Sequence, residues 1–395
     1  MNTTSINRHD IKVIFLSQSA GEIVHELADK CADEIGKTVF ITGSKFRKSK
    51  GNLIVINAPV YDNKSYVSRF RAWLTYFIYS VITLKGIKGK PILIISSNPP
   101  FLSMIGYIYK KIRGWNYIVR ILDVYPDALV QNRLIRQTNP VYKMWGYLNR
   151  IMYSHAEHVI TLGHIMAEKT SQYIDSSQKV KVIPDWVNVK QYKPIQKNKN
   201  WFSKKHFDLN NLTVIYSGNL GLTHDVDTLF EGIKLLKDQN SISFAIIGGG
   251  ACKEEAINQS NLLNNLKYLP FQPEEILPYS LASADIAIIC LGKGTEGISM
   301  PSKLYFSMAT GCAIISISDG SNDLQYIVEK TKCGLNVENG NFDGFVDAIM
   351  EFKNNNAFLN NCKENSREAS LKYYSSDIVI PQYLNMVNKL LTNYQ

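Results

Sequence analysis

At 395 residues the chain is long enough for two domains, and 45% hydrophobic residues without a low-complexity tract exclude a disordered or fibrous protein. Six cysteines, at 31, 252, 290, 312, 333 and 362, form no C-x-x-C pair, which argues against a zinc site or a disulfide frame and for a reducing compartment. The net charge of +10 is uneven: residues 1–195 hold 27 Lys and Arg against 13 Asp and Glu, and residues 196–395 hold 17 against 21. The polar N-terminus, Met1 to His9, is expected to carry no secretory signal.

The first strand is expected over Ile11–Leu16. The loop Ser17–Gly21 follows, then a helix with Ile23, Leu27 and Cys31 on one face. Further strands are expected at Thr38–Thr42, Leu53–Ile56, Ile92–Ile95, Ile118–Leu122 and Val159–Leu162. Apolar runs of this kind, alternating with helical patterns, describe a parallel sheet with crossover helices.

Three helical segments of the first half are unusual. Trp73–Leu84 is apolar nearly all round; Arg69 and Arg71 precede it, and Lys85, Lys88 and Lys90 follow. Its 12 residues fall short of the ~20 needed to span a bilayer. The second segment follows Pro99-Pro100 and ends in Lys110, Lys111 and Arg113. The third follows Pro140, with Val141, Trp145, Leu148 and Met152 at helical spacing. Each can be an ordinary core helix. Three apolar helices flanked by cations in one basic half point rather to an anionic membrane surface, with Arg69, Arg71, Trp73, Phe77, Lys110 and Lys111 as candidate contacts.

Residues 184–200 are polar and Lys-rich and are expected to link the domains. A second series then begins. The strand Leu212–Tyr216 runs into Ser217-Gly218-Asn219-Leu220-Gly221, with His224 and Asp225 just behind. The helix from Asp225 to Leu236 follows, and the strand Ser243–Ile247 runs into Gly248-Gly249-Gly250. Ala284–Leu291 and Cys312–Ser316 complete the set. The expected architecture is α/β: two doubly wound Rossmann-like domains facing a cleft, at 1–183 and 201–372. The C-terminal helix, 373–395, is a candidate to cross back to the first domain.

The segment Glu296-Gly297-Ile298-Ser299-Met300-Pro301-Ser302-Lys303 carries the most chemistry. Small residues open a loop after a buried strand, Pro301 sets a helix start, and Ser302 and Lys303 sit in its first turn. Free amides, the helix dipole and the Lys ammonium all favour an anion there. An ordinary capped helix fits this segment alone equally well. The glycines at 218, 221, 248 and 249 let a ligand approach the backbone and form candidate walls of the same phosphate pocket.

Taken in order, Ser217–Gly221, the Gly248 turn, Leu269-Pro270-Phe271-Gln272-Pro273-Glu274-Glu275, Ala284-Asp285, Met300–Leu304 and Ala309-Thr310-Gly311 resemble the nucleotide-sugar domain of family 4 glycosyltransferases, of GT-B fold. The likeness is greatest to the bacterial subgroup that builds surface polysaccharides, such as the colanic-acid and O-antigen transferases. In the first half Ser96–Pro100, Asp123-Val124-Tyr125-Pro126-Asp127 and Val182–Val187 look like that subgroup. Many members carry two glutamates around the Lys303 loop; here Phe306 stands in the place of the second and Glu296 near that of the first.

The resemblance implies a retaining transfer from a nucleotide diphosphate sugar, with UDP favoured and GDP the alternative, and with no cofactor and no metal. It places the donor at Gly218, Asn219, Gly221, His224, Gly248, Gly249, Phe271, Glu296, Ser299, Pro301, Ser302 and Lys303. Asp123 and Asp127 are the candidates for orienting the acceptor hydroxyl, and Ser19 and Gly21 for a loop near the acceptor. The acceptor would be a polyprenyl-diphosphate-linked saccharide in O-antigen, capsule or exopolysaccharide assembly. The protein would then sit peripherally on the cytoplasmic face of the inner membrane, with no nucleic-acid partner. Alternatives are a non-hydrolysing nucleotide-sugar 2-epimerase, which would need several cleft carboxylates, a catalytically silent nucleotide-binding subunit, and a nucleic-acid-binding protein.

Overall fold

The structure, a computed structural model, describes residues 10–44, 49–61, 65–176, 179–221 and 224–394. The polar stretch 1–9 lies outside the described residues. The chain divides into two compact units, Met1–Pro184 with Val379–Gln395, and Asp185–Ile378.

The first unit is built on seven parallel strands: β1 (Val13–Leu16), β2 (Thr38–Thr42), β3 (Leu53–Asn57), β4 (Ile92–Ser96), β5 (Tyr117–Arg120), β6 (His158–Thr161) and β7 (Val180–Val182). Their order is β3-β2-β1-β4-β5-β6-β7. β1, β4 and β5 are buried at every position, which is why they read as unbroken apolar runs. The strand order reverses between β1 and β4, and such a switch point opens a crevice beyond the carboxyl ends of the strands. The loops there are tied together. Asn98 Nδ2 donates to Ser19 Oγ at 3.0 Å, and Ser97 Oγ accepts from the Leu122 amide at 2.9 Å.

The helix Tyr66–Lys85 is longer than its apolar segment and starts from a reciprocal Ser65–Ser68 capping box. Ala72, Tyr76, Ser80 and Leu84 face the sheet and are buried. Val67, Phe70, Leu74, Ile78 and Ile82 are exposed on the opposite side, Val67 at 80% and Phe70 at 65%. Among the described residues no helix is long and apolar enough to cross a membrane.

The second unit holds six parallel strands: β8 (Leu212–Asn219), β9 (Ile242–Gly249), β10 (Leu266–Leu269), β11 (Ile286–Cys290), β12 (Ala313–Ile317) and β13 (Gly334–Val337), ordered β10-β9-β8-β11-β12-β13. Here the switch point lies between β8 and β11. β8 and β9 run on past their expected ends because their glycines keep pairing, Gly218 with Gly248 and Asn219 with Gly249.

Of residues 184–200, expected as a linker, all but Pro184 belong to the second unit. Trp186 and Tyr192 are fully buried, and the Arg367 guanidinium donates to the carbonyls of Val189 and Tyr192 at 3.1 and 3.0 Å. Lys197 and Lys363 both pair with Asp285. Burial pushes that carboxyl up, but the two ammonium groups outweigh it and hold it below the usual range. At the other end the helix Ser376–Thr392 carries the chain into the first unit from Val379 on, where Arg120 Nε donates to Tyr383 Oη at 3.2 Å.

Candidate functional site

In the second unit the glycine turns meet at the carboxyl edge of β8 and β9. Gly218 has φ +136° and Gly248 φ +152°, and a Cβ on Gly248 would come within 1.9 Å of the Gly218 carbonyl oxygen. No other residue type fits there. Gly248→Ala is therefore expected to destabilise the second unit by about 2–4 kcal/mol, read from its denaturant midpoint.

Lys303 opens the short helix Lys303–Ala309, one residue later than expected; Ser302 takes the N-cap position and its side chain caps nothing. The Lys303 ammonium donates to Tyr216 Oη at 2.8 Å and lies 4.0 Å from the centre of that ring. Tyr216 stands on β8 and Cys290 on β11, so the ammonium sits at the switch point. Burial lowers its pKa to about 8. At pH 7 it is still mostly charged, and an ammonium has three N–H donors, so two remain for a ligand.

His224 Nδ1 accepts from the Gly221 amide at 3.1 Å. Burial, helped by the Lys303 charge, lowers its pKa to about 4. The imidazole is neutral near pH 7 and offers an anion an N–H but no charge. Asp225 caps the helix Val226–Leu235 and accepts from Asn339 Nδ2 at 2.9 Å. The Phe271 ring is 60% exposed and lies beside Gly249, whose Cβ position is 3.2 Å from it. An exposed ring against a glycine makes a flat apolar shelf at this edge.

Glu296 turns into its own loop and accepts from the Gly294 amide at 3.0 Å. Ser299, Pro301 and Ser302 are half-buried beside it. Phe306 packs edge-on against Tyr192, with ring centres 4.8 Å apart.

In the first unit Asp123 lies beyond β5, with its amide held by Ser97 Oγ. Its carboxylate meets no hydrogen-bond donor among the described residues, and burial raises its pKa to about 6. Asp127 is different. Tyr173 Oη donates to Oδ2 at 2.6 Å and Tyr142 Oη to Oδ1 at 3.0 Å, so both carboxylate oxygens are engaged within the fold. Ser19 accepts from Asn98, and Gly21 starts the helix Glu22–Glu34 with open space where a Cβ would sit.

The residues chosen as membrane contacts divide. Arg71 and Lys111 are exposed. Lys110 is tied to Glu157 and donates to the His155 carbonyl at 2.9 Å. Trp73 packs edge-on against Tyr125 at 6.3 Å, Phe77 is half-buried, and the Arg69 charge is felt by Tyr61 and Tyr125. Sequence reasoning passed over Tyr216, because a tyrosine inside an apolar strand reads as core; its place two residues before Gly218 was the available signal.

Residues 197–369 match the family model described as "Glycosyl transferases group 1". The chain is 24% identical over 271 residues to WbjE of Pseudomonas aeruginosa, named a probable glycosyltransferase; that match covers 66% of this chain and 65% of the relative, short of two thirds of its length. It is 23% identical over 295 residues to WcaI of Escherichia coli (strain K12), named for glycosyl transfer in colanic acid biosynthesis, covering 72% of each. Anabaena Alr3699/HepE in complex with UDP-glucose superposes with a TM-score of 0.71 at 14% identity, over 97% of this chain and 99% of that one. The match to that family model lies within the second unit. With two parallel-sheet Rossmann-like units, the chain has the GT-B fold that its motifs led one to expect.

Proposed function

We propose that the protein transfers a sugar from a UDP-sugar to a polyprenyl-diphosphate-linked saccharide during surface-polysaccharide assembly, with retention at the anomeric carbon. The observation that carries the reading is the Lys303 ammonium at the β8–β11 switch point, beside glycine turns open to a diphosphate. HepE, of the same fold, binds UDP-glucose, and WcaI, named for colanic acid biosynthesis, supports the polysaccharide setting.

In the proposed reaction the bond from the anomeric carbon to the β-phosphate oxygen breaks, and the acceptor hydroxyl oxygen bonds to that carbon on the same face. The departing β-phosphate takes the hydroxyl proton. Lys303 and the amides at Ser302 and Lys303 stabilise the charge growing on the diphosphate, and Phe271 offers a shelf for the base. Asp123, with its unengaged carboxylate, orients the acceptor hydroxyl; Asp127 supports that region through Tyr142 and Tyr173.

The basic, apolar helices suit a lipid-linked acceptor, and the protein is proposed to act on the cytoplasmic face of the inner membrane. The contact is carried by the exposed row Val67, Phe70, Leu74, Ile78 and Ile82 with Arg71 and Lys111, rather than by Trp73, Phe77 and Lys110. Phe70→Glu with Ile78→Glu is expected to release the protein from anionic liposomes in flotation. Unchanged flotation would remove this helix from the membrane contact.

A thermal-shift screen with UDP, GDP, ADP, TDP and CMP tests the donor site. UDP is expected to stabilise the wild type and not Lys303→Ala. No shift with any nucleotide would sink the donor-site reading.

A further inference from the structure

Two features of the second unit meet at one phenol. Tyr216 Oη donates its proton to the Asn219 carbonyl at 2.7 Å, which fixes the hydroxyl and leaves its lone pairs for the Lys303 ammonium at 2.8 Å. The ring of the same residue lies 4.0 Å from that ammonium. The proposed transfer gives Tyr216 no part, although it is buried and stands between the glycine turn and the lysine.

Resting on the donor-site reading above, we propose that Tyr216 is a positioning residue for diphosphate binding, holding the Lys303 ammonium in place with ring and hydroxyl together. A lysine stem is long and flexible, and a free one would scatter its charge over many rotamers. The ring holds the cation from one side. The hydroxyl takes one N–H, and two N–H groups remain for the incoming anion. The orientation of the hydroxyl is itself set by Asn219, a residue of the loop expected to meet the phosphates. The ligand-binding edge therefore fixes the lysine that serves it.

The groups facing Lys303 do not confuse a pH test. Gly218 on β8 does not titrate. Cys290 on β11 has its thiol pushed up to about 12 by burial, and His224 lies at about 4. Tyr216 itself is raised by burial above the usual phenol range. Between pH 6.5 and 9.5 the change in charge at this spot belongs to Lys303.

Tyr216→Phe keeps the ring and removes the oxygen. UDP affinity is measured by calorimetry from pH 6.5 to 9.5 for the wild type, Tyr216→Phe, Lys303→Ala and the double variant. Tyr216→Phe is expected to weaken UDP binding about fivefold or more at pH 7 and to move the alkaline fall in affinity to lower pH, because the ammonium has lost its acceptor. In the Lys303→Ala background the same change is expected to alter affinity less than twofold. An equal loss in both backgrounds, or an unchanged pH profile, overturns the proposal. Should the wild type bind no nucleoside diphosphate, the donor-site reading fails by itself. Competitive amine labelling then titrates Lys303 directly, and the same Lys303 pKa in wild type and Tyr216→Phe overturns the positioning role.

Discussion

Lys303→Ala is expected to lower kcat/KM by about 10²–10⁴-fold and to weaken UDP binding, with the melting temperature held or slightly raised. The stability half of this expectation separates a lost contact from a lost fold. Burial brings the ammonium down to about 8, so the folded protein disfavours its charge by about 1–3 kcal/mol once its partial exposure is allowed for. Removing the charge returns that cost, against which stands the packing of the lysine stem on Tyr216. Full activity in the variant would take Lys303 out of the mechanism.

The same pKa sets the pH dependence. Roughly nine-tenths of Lys303 is charged at pH 7 and about one-tenth at pH 9. A bound diphosphate favours the charged form and raises the pKa. UDP affinity thus falls above pH 8, by up to about tenfold per unit. The terminal phosphate of UDP, which ionises near pH ~6, is already fully charged across that range.

Much of this molecule was open to reading because parallel strands are covered on both faces. Isoleucine-rich runs such as Ile92–Ile95 and Ile286–Ile289 have no solvent side to interrupt them. The three strands that reading passed over lie on sheet edges, where that rule lapses. β7 is Val-Lys-Val with its lysine exposed, and β10 and β13 are only partly buried. The apolar character of Trp73–Leu84 announced a helix but not its inner side. The sheet takes the small and polar residues Ala72 and Ser80 along with Tyr76, and leaves Phe70 and Ile78 outside. Trp73 and Phe77, the candidate membrane contacts, are half-buried between those two stripes.

Site residues were legible by type and position, and their partners were not. Lys303 after Pro301 marks an anion site wherever it lies, but nothing local says that Tyr216, 87 residues earlier, receives its ammonium. Lys110 beside Lys111 reads as a basic cluster until Glu157 neutralises it from 47 residues away. Asp127 is one of two equivalent-looking carboxylates until Tyr142 and Tyr173 close on it. These differences arise from long-range packing, which spacing along the chain does not encode.

That contrast sharpens the expectation for the other carboxylate. Asp123→Asn keeps the shape of the side chain and removes its charge. It is expected to lower kcat by about 10²–10⁴-fold while leaving UDP affinity unchanged. The folded pKa of Asp123, about 6, stands above its ordinary value of 3.8, so the ionised carboxylate costs stability at neutral pH. That cost is about 1–3 kcal/mol above pH 6 and vanishes as pH falls below the ordinary value, where both states are protonated. The Asn variant should therefore melt higher than wild type at pH 7, with the gap closing toward pH 4. Wild-type turnover should fall on the acid side near pH 6, as the carboxylate proposed to orient the acceptor gains a proton. A variant more stable and far less active would mark Asp123 as a group held ionised against the fold's preference. A variant more stable and equally active would leave that charge without a part in the reaction, and the acceptor hydroxyl would need another partner.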